Sequence, residues 1–98
     1  SKYILSLRRS IKSIVGIIIM YYLYLIRCRD NSLYCGITNN IERRITEHQT
    51  SNTKSAKYTK YRRPLTLVYF EKHKNISSAM KREKMIKCWP KAKKERLI

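Results

Sequence analysis

Two tyrosines ten residues apart, Tyr24 and Tyr34, and an arginine and a histidine four apart, Arg44 and His48, are side chains that together could act on a phosphodiester. Hydrolysis of that bond needs an in-line water, a group to take its proton, a cation on the phosphate and help for the departing oxygen. A phenol with a pKa near ~10 is a poor base at neutral pH. Surrounding positive charge and a metal ion favour its phenolate, which makes Tyr24 the candidate general base. Tyr34 would position the water or the phosphate, and the two tyrosines can exchange these roles. Arg44 suits the scissile phosphate because its fork is planar and permanently charged. His48 is placed to contact the phosphate or to shuttle a proton. The chain has only 6 acidic residues, so a single-metal mechanism is what it can supply. Glu83 is the acid expected to point inward, which makes it the candidate ligand for Mg²⁺ or Mn²⁺. The alternative for Glu83 is a buried ion pair with Arg44. Each tyrosine alone is more often a packed aromatic; the joint spacing carries the specificity.

The elements that must position these groups follow from local patterns. Tyr22 to Cys28 is rich in β-formers and ends at the turn cluster Arg29-Asp30-Asn31-Ser32, after which Leu33 to Thr38 forms a returning strand. Side chains alternate faces along a strand, so Tyr24 and Tyr34 share a face only if the hairpin loop holds an odd number of residues. A three-residue loop Arg29-Asp30-Asn31 meets that condition, with Asn31 left-handed. Tyr34 then lies opposite Ile26, with Tyr24 diagonally beside it. Asn39 is the expected N-cap of the following helix, with Glu42 completing a near capping box. At about 100° per residue, Ile41, Arg44, Ile45 and His48 fall on one arc and Arg43 points to water.

Gln49 to Arg63 is a polar connection, read as an arm that follows a nucleic-acid backbone. Its candidate contacts are Lys54, Lys57, Tyr58, Lys60, Tyr61, Arg62 and Arg63, joined by Arg43 and Lys87 from the helices. Leu65 to Glu71 alternates as a third strand. Asn75 or Ser77 opens a helix to about Cys88 whose expected apolar stripe is Ile76, Ala79, Met80 and Ile86, with Glu83 in its middle. A carboxylate there needs a cation. Trp89-Pro90 breaks this helix, and Lys91 to Leu97 can form a short basic one. The expected fold is α+β: a small three-stranded antiparallel sheet flanked by helices, in the order β-β-α-β-α-(α).

The 98 residues allow one small domain, and 23 basic against 6 acidic residues give a net charge of +17. Basic residues interleaved with tyrosines point to a nucleic acid as partner. The odd number of cysteines, Cys28, Cys35 and Cys88, lacks CxxC spacing, so packed, reduced thiols in a cytoplasmic protein are expected. Residues 1–19 read as a poorly specified extension, and the domain is expected to span 20–98. Targeting is the alternative for the extension, whose basic and apolar runs imitate a signal segment. The apolar run Ile14–Ile26 has 13 residues, short of the ~20 that span a bilayer, so no stable membrane association is expected.

Tyr22-Leu23-Tyr24, Tyr34-Cys35-Gly36, Arg44, His48 and Glu83 together resemble the GIY-YIG nuclease superfamily, in particular its small single-domain bacterial members. The resemblance runs from about Met20 to the C-terminus. It implies a metal-dependent DNA endonuclease with its motif tyrosines at Tyr24 and Tyr34, its helix arginine at Arg44, its histidine at His48 and its metal-binding glutamate at Glu83. The chain departs from the pattern at the missing glycine of the first motif and at Ile37, where some members carry a lysine. A late asparagine used by others is not evident after Glu83. The expected substrate is DNA, branched or damaged, in repair or recombination, with no small-molecule cofactor. No base-reading element is recognisable, so shape or ends rather than sequence would be read. The competing readings are a non-catalytic nucleic-acid-binding module that keeps the fold and an accessory domain of a mobile-element homing nuclease. A membrane-active basic peptide is the outsider.

Overall fold

The structure, a computed structural model, describes residues 19–98. The expected extension, apart from Ile19, lies outside the described residues.

Strand β1 (Tyr21–Arg27) is the centre of a three-stranded antiparallel sheet, with β2 (Leu33–Thr38) on one side and β3 (Thr66–His73) on the other. The β1–β2 register is the expected one: Tyr34 stands opposite Ile26 and Tyr24 opposite Gly36. The loop is Arg29-Asp30-Asn31, closed by Cys28 and Ser32 at 2.9 Å, and Asn31 has φ 69°. An asparagine tolerates that left-handed conformation, so the odd loop and the shared tyrosine face come from one residue choice. β3 begins one residue later and ends two later than its sequence pattern suggests.

The period-2 alternation of β1 separates two apolar clusters. Tyr22, Tyr24 and Ile26 pack with Ile41 and Leu65 on one face; Leu23, Leu25 and Cys35 pack with Ile86 on the other. Helix α1 (Ile41–Thr50) belongs to the first face through Ile41 and His48, and α3 (Ile76–Lys87) to the second through Ala79 and Ile86. Each aliphatic side chain so buried contributes about 1.5–3 kcal/mol. A short helix α2 (Lys57–Lys60) lies within the connection to β3, and α4 (Lys91–Glu95) closes the chain. Glu95 holds α4 to the end of β1 by a two-bonded fork with Arg27 at 2.8 and 2.6 Å. That contact, with Lys91 beside it, lowers the Glu95 carboxyl to about 2. Glu71 performs the same service between β3 and α3, accepting from Tyr69 at 2.6 Å and Arg82 at 3.2 Å and pairing with His73 at 2.6 Å.

Four local expectations are corrected. The N-cap of α1 is Asn40, whose side chain accepts from the Arg43 amide at 3.0 Å. Glu42 is then one place too early for a capping box; Thr38 binds the Asn40 amide at 3.1 Å instead. Of the two expected openings of α3, Asn75 is the cap, accepting from the Ser78 amide at 2.8 Å. The buried stripe of α3 is narrow: Ile76 and Met80 are 47% and 53% exposed, because only the line through Ala79 and Ile86 meets the sheet. Cys28 and Cys35 are packed thiols, whereas Cys88 is exposed at the end of α3. Among the described residues no helix is long and apolar enough to cross a membrane.

Candidate active site

Helix α1 lies across the sheet face that carries Tyr24 and Tyr34, and its inner edge presents Arg44 and His48. His48 is fully buried, Arg44 is partly buried and Arg43 is exposed. This is the division that helical geometry requires. Tyr24 Oη lies 2.9 Å from His48 Nε2. The Tyr34 ring meets the imidazole edge-on at 5.2 Å between centroids and the Tyr24 ring at 6.4 Å. The backbone of β2 admits this arrangement because Gly36 faces Tyr24: a Cβ at that position would overlap the Tyr24 hydroxyl and come within 2.6 Å of Cζ. Arg44 donates to Glu47 at 3.2 Å and to the Lys54 carbonyl at 2.6 Å, and its charge lies near enough to Tyr24 to favour the phenolate.

The second imidazole nitrogen is equally defined. His48 Nδ1 lies 2.8 Å from Thr59 Oγ1, and Thr59 donates to the Ala56 carbonyl at 3.1 Å. Thr59 sits on α2 and is fully buried. Arg63 fastens this loop to the end of α1, donating to the His48 carbonyl at 2.8 Å and the Ser51 carbonyl at 2.6 Å. Gln49 bonds both backbone groups of Leu65, at 2.7 and 3.1 Å.

Burial sets the proton affinities. It lowers His48 to about 4, and the nearby Arg44 charge acts in the same direction. Burial pushes the Tyr24 hydroxyl well above the ordinary phenol range; Tyr34 adds to this and Arg44 opposes it. At neutral pH the resting pair is therefore a neutral phenol hydrogen-bonded to a neutral imidazole. The sign for stability follows. Between pH ~6.5 and ~4 the unfolded chain binds a proton at His48 and the folded chain does not, so stability falls as pH drops through that window. The expected loss is at most about 3 kcal/mol. Urea unfolding at pH 7 and pH 4.5 should show this slope reduced in His48→Gln, and an unchanged slope would mean the imidazole is not held neutral.

The expected nucleic-acid contacts divide into two groups. Arg43, Lys54, Lys57 and Lys87 are exposed, and Tyr61 is 66% exposed with Lys60 Nζ 5.3 Å from its ring centre. Tyr58, Arg62 and Arg63 instead hold the loop. Tyr58 stacks on Tyr34 at 6.1 Å, the Arg62 guanidinium lies over the Tyr58 ring at 3.8 Å, and Arg62 also pairs with Asp30 at 3.2 Å. Glu83 lies on α3, against the other sheet face, and is near enough to Cys35 of the edge strand β2 for its charge to raise that thiol after burial has done so. Its cation is Lys87 at a loose 3.6 Å, not Arg44. Asp30, Glu47, Glu71 and Glu95 are each held by closer contacts. Among the described residues no three His, Cys, Asp or Glu side chains gather as metal ligands. Glu83 is a half-buried, loosely paired carboxylate beside an edge strand, on the sheet face opposite Tyr24, Tyr34, Arg44 and His48 and so not brought together with them. Such a carboxylate suits Mg²⁺, which keeps most of its waters and takes one or two carboxylates plus substrate phosphate.

The sequence reading missed Thr59 and the contact that requires Gly36. Thr59 carries no periodic signal: it is one hydroxyl in a polar run, and only the packing of α2 on α1 brings it to His48.

The profile of the GIY-YIG catalytic domain matches residues 20–96. A UPF0213 protein of Staphylococcus haemolyticus is 47% identical over 78 residues, covering 80% of this chain and 93% of its own. A UPF0213 protein of Natronomonas pharaonis is 46% identical over 78 residues, covering 80% of this chain and 89% of its own. The solution NMR structure of a UPF0213 protein from Bacillus halodurans is similar with a TM-score of 0.51 and 37% identity, over 80% of this chain and 81% of that one.

Proposed function

The chain belongs to the GIY-YIG catalytic domain family, and from that premise we propose that it is a divalent-metal-dependent DNA endonuclease, directed by DNA structure in repair or recombination. The observation that supports this most is the buried line from Tyr24 through His48 to Thr59, with the Arg44 charge close to the phenol. A buried phenol of raised proton affinity does not rest as a phenolate. It can pass a proton on: as water attacks phosphorus, its proton moves to Tyr24 Oη while the phenol proton moves to His48 Nε2. The phosphorus–oxygen bond to the leaving strand breaks, and solvent protonates that oxygen. Arg44 neutralises the charge that builds on the phosphoryl oxygens. Tyr34, edge-on to His48, orients the water or the phosphate. Glu83, on the sheet face opposite the Tyr24–His48 pair, would hold Mg²⁺ or Mn²⁺, which supplies Lewis-acid chemistry when bound. The exposed cations of the 49–63 connection, with Tyr61, would follow the DNA backbone.

Nicked, flapped and supercoiled DNA incubated with Mg²⁺ or Mn²⁺ tests the reading. Cleavage should be abolished by EDTA and fall at least about 100-fold in Glu83→Ala, since a metal supplies several kcal/mol of transition-state stabilisation. Binding in EDTA should be unchanged. Equal cleavage by both proteins would remove the metal assignment. Salt-sensitive, EDTA-indifferent binding without cleavage would leave a non-catalytic nucleic-acid-binding module.

A further inference from the structure

We propose that Thr59 is a positioning residue that selects the tautomer of His48 and so makes Tyr24 a proton donor to the imidazole. The inference deepens the nuclease reading and rests on it for its catalytic consequence, though not for the tautomer itself. A threonine hydroxyl has one proton and two lone pairs, while a carbonyl only accepts. Thr59 Oγ1 lies 3.1 Å from the Ala56 carbonyl oxygen, so its proton is directed there. It then meets His48 Nδ1 at 2.8 Å with a lone pair, and Nδ1 must carry the ring proton. Nε2 is left as an acceptor, 2.9 Å from Tyr24 Oη. The opposite tautomer fails at both ends of the line. It would set Thr59 Oγ1 and the Ala56 carbonyl together as two acceptors. It would also take from the Tyr24 proton its imidazole acceptor, because Nε2–H would itself donate to the phenol oxygen.

The loop that delivers Thr59 is rigid enough for the task. Arg63 ties it to the His48 carbonyl itself, and the Arg62 carbonyl accepts from the Arg29 amide at 3.0 Å, so α2 is held to both α1 and the hairpin turn. A metal ligand or catalytic imidazole commonly has its tautomer set by the bond at its other nitrogen. Here a neutral hydroxyl performs that function, and it orients the ring without supplying charge.

The test uses the whole chain. Long-range ¹H–¹⁵N spectra of the wild type at pH 7 should show His48 protonated at Nδ1. Observation of the Nε2–H form overturns the proposal, whether or not the protein cleaves DNA. Thr59→Val keeps the shape and removes the hydroxyl; it should yield mixed tautomers and a kcat lower by about 10- to 100-fold with KM within about twofold. Thr59→Ser should restore both the spectrum and kcat. A Thr59→Val protein with wild-type kcat and an unaltered tautomer defeats the proposal. Should that variant not fold, the wild-type and Thr59→Ser spectra decide. A wild type that shows the Nδ1–H form but cleaves no DNA in Mg²⁺ or Mn²⁺ counts against the nuclease reading while upholding the tautomer.

Discussion

Tyr24→Phe should reduce DNA cleavage by about 10²- to 10⁴-fold with little change in DNA binding, the range that removal of a positioned proton-transfer group commonly produces. The substitution keeps the ring that fills the space over Gly36 and deletes only the hydroxyl bonded to His48 Nε2 at 2.9 Å. The imidazole acceptor is then buried without a partner, so stability should also fall by about 1–3 kcal/mol. The pH profile distinguishes two ways the hydroxyl can work. A phenolate base would make kcat/KM rise tenfold per unit through neutral and alkaline pH, because the phenol's proton affinity is raised by burial. A relay into neutral His48, whose pKa is lowered to about 4, needs no prior ionisation and gives a flat profile above pH ~5. The flat profile is expected for the wild type. A log-linear rise would restore Tyr24 to the role of a free base.

Local regularities made most of this site legible in the sequence. Strand alternation and an odd hairpin loop place Tyr24 and Tyr34 on one face, and Asn31 at φ 69° is the residue that makes the loop odd. Helical angle alone separates inward Arg44 and His48 from outward Arg43. What stayed hidden depends on contacts between elements. Arg63 and Arg62 look like any basic residues of a DNA-binding arm, yet their bonds to the His48 carbonyl and to Asp30 hold the loop in place. Thr59 gains its meaning only from α2 docking on α1. The α3 stripe was read too wide, because periodicity reports which residues share a face but not how far the sheet extends beneath it; Met80 is consequently exposed. Composition gave the charge of Tyr24's surroundings but not its burial, and burial dominates that phenol's proton affinity.

Gly36→Ala should be nearly as damaging to cleavage as loss of the phenol, although it removes nothing. Gly36 has no left-handed backbone to protect; its role is space. It stands directly opposite Tyr24 in the β1–β2 ladder, and the phenol ring lies over its Cα on the way to α1. An added methyl would come within 2.6 Å of Cζ and overlap the hydroxyl. β1 cannot yield easily, since it is paired on both sides, and the ladder holds the edge strand β2 against it. The ring must therefore turn away, which lengthens or breaks the bond to His48. Overpacking of this kind costs about 1–3 kcal/mol of stability. A displacement of about 1 Å at a reacting group can reduce rate about 100-fold. A double variant separates the site effect from general damage. If Gly36 acts through the Tyr24 hydroxyl, adding Gly36→Ala to Tyr24→Phe should slow cleavage little further, because the group it would misplace is already gone. Two fully additive losses would show that the glycine serves the nuclease site by another route, and unchanged kcat in the single variant would mean that the ring's position over β2 is not what catalysis requires.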